Sequence, residues 1–226
     1  MDDPPGSNTG SGAGPRSDRT QANELELALV VRSQRGDVAA FNSLVERYQG
    51  LAYALAVRML GDPDAAADVT QDAFFSAFRA IQSFRGASFR AWLLRIVSNA
   101  CFDVFRARGR QPSSSLDELL DDEATGDAAT PSALIDSSWD PERALLRAEV
   151  IAAIQGALLQ LPDDQRLAMI LSDVQGLPYD EIARIMDSPL GTVKSRIARA
   201  RGHLRAILAR QPELFPRGER HHSSED

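Results

Sequence analysis

Residues 176–208 read GLPYDEIARIMDSPLGTVKSRIARARGHLRAIL, and here helix periodicity, turn chemistry and charge all describe one object, a helix-turn-helix. Pro178 is expected to open a short helix with Ile182, Ile185 and Met186 on one face, which Asp187, Ser188 and Pro189 end before starting a second. Ser188 fits the N-cap of that second helix, with Pro189 at its first position. Val193, Ile197, Ala200, Leu204, Ile207 and Leu208 then recur at helical spacing as a buried stripe, turning Ser195, Ala198, Arg199 and Gly202 outward. Between Gly191 and Arg210 stand Lys194, Arg196, Arg199, Arg201, Arg205 and Arg210 with no acid, on a chain of net charge −7. Basic charge this local is what a phosphate footprint requires. Arginines can also serve an exposed helix merely for solubility. The tight turn and the small outward side chains beside them favour a major groove, where Arg and Lys read guanine.

A chain of 226 residues with a 43% hydrophobic share suits two small cores. Its one cysteine, Cys101, excludes an intramolecular disulfide and a cysteine zinc cluster, and among Leu93, Val97 and Val104 it reads as a packed thiol in a reducing compartment. Residues 1–23 hold no apolar run, so a flexible tail is expected there and neither a signal peptide nor an anchor. No later stretch has the apolar length needed to span a bilayer.

From Glu24 the pattern is helical, with an apolar face running from Phe41 through Leu44, Tyr48 and Leu55 to Met59 until Gly61, Asp62, Pro63 and Asp64 stop it. Asp64 or a neighbour should cap the next helix, which buries Val69, Phe74, Phe78 and Ile81 and leaves Asp68, Gln71 and Asp72 outside. Acids early in a helix suit its dipole, but Gln71 and Asp72 lie further in. Phe89 to Ala107 is another helix, with Trp92, Leu93, Ile96, Val97, Ala100 and Val104 inward. Arg95, Asn99, Phe102 and Arg106 share its other face at i, i+4, i+7 and i+11. An aromatic among cations suits unpaired bases, which stack while their phosphates are neutralised; packing on a neighbouring helix would equally explain Phe102.

The two halves together resemble the extracytoplasmic-function (ECF) sigma factors of bacterial RNA polymerase. The resemblance is carried by residues 68–74 (DVTQDAF), 84–86 (FRG), 92–103 (WLLRIVSNACFD) and the block from Gly176 to Arg201, in the family's order and separation. It implies that Asp68, Gln71, Asp72 and Phe75 grip the polymerase clamp helices. It implies further that Phe84, Arg85 and Gly86 with Arg95, Asn99, Phe102 and Arg106 read the melted minus-ten strand, and that Thr192, Lys194, Ser195, Arg196, Arg199 and Arg201 read the minus-thirty-five duplex. Pro178 departs from the serine or threonine cap of many members. Core RNA polymerase and promoter DNA, as duplex and single strand, are the implied partners, with an anti-sigma factor as an optional third.

Residues 111–140 contain eight acids and no base, a linker by composition. It is a solubilising tether or, as the resemblance suggests, a polyanion for the channel through which polymerase handles nascent RNA. Pro141 opens a further helix with Leu145, Leu146, Val150, Ile151, Ile154, Leu158 and Leu159 inward.

The expected architecture is all-α: two small helical domains at 24–110 and 141–211, an acidic linker at 111–140 and a loose tail at 212–226. The expected function is promoter recognition within RNA polymerase, in the cytoplasm, with catalysis left to the polymerase. No metal-spaced histidines, phosphate-binding glycine loop or nucleophile motif is present, so neither cofactor nor metal is implied. The competing reading is a stand-alone regulator that binds duplex DNA as a dimer.

Overall fold

The computed structural model describes residues 15–86, 88–110 and 141–215. Among these the chain is all-helical. The helices are α1 (Pro15–Gln34), α2 (Val38–Leu60), α3 (Pro63–Ala80), α4 (Phe89–Arg110), α5 (Pro141–Leu159), α6 (Asp163–Met169), α7 (Tyr179–Ile185) and α8 (Leu190–Leu208). A short 3-10 turn, Ile81–Ser83, follows α3, and a π-helical turn, Ile170–Val174, continues α6. The backbone of 15–23 is helical where a tail was expected. The linker 111–140 and most of the C-terminal tail lie outside the described residues.

Local chemistry sets most boundaries. Asp37 caps α2 by accepting from Ala40 N at 3.0 Å and is held in place by Arg32. The Ala40 N–H and then the Arg32 guanidinium keep the Asp37 carboxyl below its ordinary pKa. Gly61 ends the helix in the left-handed region at φ 72°, donating to Val57 O, as C-terminal glycines do. The cap of α3 proves to be Asp62, which accepts from Asp64 N and Ala65 N with Pro63 in the first turn.

α2, α3 and α4 surround a core in which Leu44, Leu55, Met59, Phe89, Leu93, Leu94, Val97 and Cys101 are fully or almost fully buried. The same buried cluster continues without a break into Leu167, Ile170, Leu171, Ile182, Val193 and Ile197 of the C-terminal half. The two halves expected as separate domains are therefore packed on each other. Among the described residues five polar contacts cross the junction: Gln155 Nε2 to Val57 O at 3.1 Å and to Arg58 O at 3.4 Å, Arg166 Nη1 to Met59 O at 2.7 Å, Gln175 Nε2 to Leu51 O at 3.5 Å, and Arg90 to Gln175 O.

Some faces differ from their sequence pattern. Phe78 is 43% exposed, because it lies at an open groove between α2 and α3, where its ring centroid is 5.0 Å from that of Phe41. In α5 only the C-terminal half docks: Leu158 is buried, while Leu145, Leu146, Ile151 and Leu159 are exposed. Periodicity marked their apolar character, but among the described residues no element covers Leu145, Leu146 or Ile151, and Leu159 is only partly covered where it meets Gly61.

Arg166 is only 5% exposed, yet its guanidinium is fully engaged. It donates to Leu158 O, Leu159 O and Leu161 O at 2.8 to 2.9 Å as well as to Met59 O, and lies 5.6 Å from the Phe105 ring. Arg166→Met should therefore cost about 3 to 5 kcal/mol in urea unfolding, because it leaves several buried carbonyls unpaired. Arg166→Lys, which keeps the charge without the fork, should fall in between.

Burial also pushes the Cys101 thiol up to about 12. Iodoacetamide at pH 8 should leave Cys101 unlabelled in the folded protein and label it in denaturant, as read by intact mass.

Candidate nucleic-acid interface

The helix-turn-helix is α7 and α8. Leu177, Ile182 and Ile185 anchor α7, and Val193, Ile197 and Ala200 are buried along α8, with Leu204 and Ile207 half-buried. The turn is sharp because Asp187 takes up a left-handed conformation at φ 47°. Ser188 does not cap α8 as expected. The cap position is Pro189, without a side-chain bond, and Ser188 Oγ instead donates to Met186 O at 3.1 Å and accepts from Arg196 Nη1 at 2.8 Å. Pro178 likewise starts α7 without a side-chain cap, and Asp180 and Glu181 in the first turn complement the dipole.

The arginines of α8 divide into two kinds. Arg196 donates to Asp164 Oδ2 at 2.7 Å besides Ser188, tying α8 to the start of α6 and to the turn. Arg201 makes a two-pronged contact with Asp173 at 2.6 and 2.9 Å. The Arg201 hydrogen bond is the main cause that holds the Asp173 carboxyl below its usual value, and the pair pushes the Arg201 guanidinium higher still. Lys194, Arg199 and Arg205 are exposed and, among the described residues, carry no ion pair. Thr192 and Ser195 are half-buried, with Ser195 Oγ donating to Thr192 O at 2.9 Å.

At the other candidate surface, Phe84 is buried and acts as the loop's anchor. It sits 4.9 Å from Trp92 and 6.3 Å from Phe89 in an aromatic cluster that Tyr48 extends. Gly86 is required by this packing, since a Cβ there would stand 2.7 Å from the Phe84 ring. Arg85 curls back, its Nη1 donating to Gln82 O at 2.6 Å and Phe84 O at 2.9 Å. Phe84, Arg85, Gly86, Trp92 and Arg95 line a cavity of about 240 Å³ whose opposite wall is Arg184 and Ile185 of α7.

Asn99 opens elsewhere, into a groove of about 670 Å³ between α3 and α4 that also contains Asp72, Arg79 and Asp103. Phe102, expected as an outward ring, is half-buried against the core and packs edge-on to Phe105. Arg106 is exposed and pairs with Asp103. The four-residue face of α4 is thus real as a helix face, but it does not form one pocket.

Asp68, Gln71, Asp72 and Phe75 are all exposed on α3 and share a face. Gln71 and Phe75 border a largely apolar groove of about 760 Å³, lined also by Val38, Phe41, Tyr53 and Phe78. Phe75 is 56% exposed at its rim.

Two further residues of the site, Glu26 and Gln34 of α1, belong to no motif of the sequence. Glu26 accepts from Phe89 N at 3.0 Å and from the Tyr48 hydroxyl, and Gln34 donates to Ile81 O and Phe84 O. Burial, with Glu26 adding to it, pushes the Tyr48 phenol well above its ordinary range. The available signal was that both fall on the α1 face that also carries the buried Val30 and Ser33.

Two family descriptions match the chain: "Sigma-70 region 2" over residues 44–111 and "Sigma-70, region 4" over residues 151–204. The RNA polymerase sigma-H factor of Pseudomonas aeruginosa is 45% identical over 180 residues, 79% of this chain and 91% of that one. The ECF RNA polymerase sigma-E factor of Haemophilus influenzae is 42% identical over 177 residues, 78% of this chain and 91% of that one. Among solved structures, the sigma factor RpoE in complex with the anti-sigma factor NepR from Bartonella quintana superposes with a TM-score of 0.58 at 28% identity, covering 75% of this chain and 96% of that one. With the helix-turn-helix, the aromatic-anchored loop and these relatives spanning both, the chain belongs to the ECF sigma factors of RNA polymerase.

Proposed function

We propose that the chain docks on core RNA polymerase through the exposed face of α3, reads an upstream promoter element as duplex with α8, and captures the melted downstream strand at the loop beside Arg95. The observation that carries this reading is the pairing, in one chain of the family, of a helix whose Lys194, Arg199 and Arg205 face solvent with a cationic and aromatic cavity at the loop after α3. The first suits phosphates and base edges in a major groove, the second an unstacked base. The protein supplies recognition in the cytoplasm, and the polymerase supplies the chemistry. Because α7 forms one wall of the cavity, a strand enters as the two halves move apart. An anti-sigma factor fits the same reading, as a partner that holds the halves away from DNA.

Purified with core polymerase, the protein should direct transcription from a subset of a genomic promoter pool and bind promoter duplex far more tightly than it does alone. Tight, specific binding as a free dimer would instead favour a stand-alone regulator.

Asp72→Arg tests the docking face. A purely helical role predicts a cost of up to about 1 kcal/mol and intact assembly. The docking role predicts loss of co-purification with polymerase at nearly unchanged thermal stability, and intact assembly would remove α3 from the interface.

On α8 the paired and unpaired cations should fail differently. Arg199→Ala should cost about 1 to 3 kcal/mol of promoter affinity and relax preference within the upstream element only. Arg201→Ala should chiefly lower stability. The sign follows from Asp173: its folded pKa lies below the ordinary 3.8, so the stability from the pair is present above that value and is lost as pH falls through the folded one. Wild type and Arg201→Ala should therefore differ in denaturant midpoint near neutrality and converge at acid pH. A gap that persists in acid would mean that packing, and not the ion pair, was lost.

A further inference from the structure

α1 ends before the residues matched by the region 2 description begin, 34 against 44, yet it grips the loop between α3 and α4 at both ends. At the near end the Gln34 carboxamide donates to Ile81 O at 3.1 Å and to Phe84 O at 2.8 Å, which uses both of its N–H groups. At the far end Glu26 Oε1 accepts from Phe89 N, the first amide of α4. Glu26 and Gln34 are eight residues apart on one helix face, and both are half-buried. Ile81 O also accepts from Phe84 N and so closes the 3-10 turn, while Phe84 O belongs to the peptide from which Arg85 departs. Fixing that carbonyl fixes the direction in which the chain presents Arg85 and Gly86 to the cavity shared with Trp92 and Arg95.

We infer that Gln34 is a positioning residue for strand reading: without touching DNA, it holds the loop in the one conformation in which the cavity discriminates between unpaired bases. The inference rests on the reading above that this cavity takes the melted strand. Nothing in it requires α1 to contact polymerase or promoter.

The test uses the full chain in complex with core polymerase and a randomised single-stranded DNA pool. Wild type should enrich a narrow set of sequences. Gln34→Leu, and Gln34→Glu, which is isosteric but offers no donor when ionised, should enrich a broader set. Discrimination between the best strand and its single-base variants should fall about tenfold, the low end of what losing an outer-shell partner costs a binding site. Co-purification with polymerase and binding of upstream duplex should stay unchanged. Gln34→Lys, which keeps a donor of comparable reach, should restore most of the narrow set and so separates hydrogen-bond donation from packing.

Retention of the wild-type set by both Gln34→Leu and Gln34→Glu would overturn the inference, as would a uniform loss for all strands with a lowered melting temperature. Arg85→Ala and Arg95→Ala distinguish the two levels. If they too leave the selected set unchanged, the cavity is not the reader and the underlying proposal falls with the inference. If they abolish selection while the Gln34 variants keep it, only the role of Gln34 is wrong.

Discussion

The arrangement of the molecule depends on how the C-terminal ends of α2 and α5 meet. The last carbonyls of a helix have no partner within it and carry its negative dipole end, so two such ends brought together would repel and remain unpaired. Arg166 resolves both problems at once. Its planar fork takes Leu158 O and Leu159 O from α5, Leu161 O from the turn beyond, and Met59 O from α2, with Asp163 at 3.3 Å balancing part of the charge. Gln155 adds a neutral donor to the same end of α2. Desolvation opposes the charged form of Arg166, and the aromatic face of Phe105 offsets some of that cost. Gly61 completes the junction from the other side, because a Cβ there would stand 2.5 Å from the Leu159 side chain.

That junction has a functional side. Both halves carry a surface suited to DNA, and in the packed arrangement Arg184 and Ile185 of α7 close the wall opposite Arg95. The halves are held together by a buried apolar cluster that both share and by side-chain donations to backbone carbonyls across the junction.

The two candidate reading surfaces are built on different principles. On α8 the orientation of the helix is fixed by ion pairs to acids on the preceding elements, Asp164 and Asp173, and the cations left over face solvent. At the loop the fixing is by aromatic packing and by hydrogen bonds to the backbone: Phe84 buried against Trp92 and Phe89, and Gln34 and Glu26 of α1 on backbone groups. A duplex presents a regular surface to which a rigid, charged helix can be matched. An unpaired base needs a shaped recess, and shape comes from packing.

The sequence by itself determined the helices, their order and the helix-turn-helix, because these rest on local periodicity, on Gly and Pro as punctuation, and on charge that remains visible without coordinates. It also marked α3 as an exposed face, since Asp68, Gln71, Asp72 and Phe75 recur at helical spacing away from the core. Only the tertiary structure decided which polar side chains act on the protein itself. Arg196 and Arg199 are alike in sequence, yet one pairs with an acid 32 residues earlier and the other faces solvent. Phe84 and Phe102 both read as readers of bases, but Phe84 is buried in an aromatic cluster and Phe102 is tucked against Phe105. Gln34 gave no motif at all, because the carbonyls it serves lie 47 and 50 residues away. The physical reason is the same in each case: helix spacing tells which way a side chain points, and only the packing of helices far apart in sequence tells what it meets there.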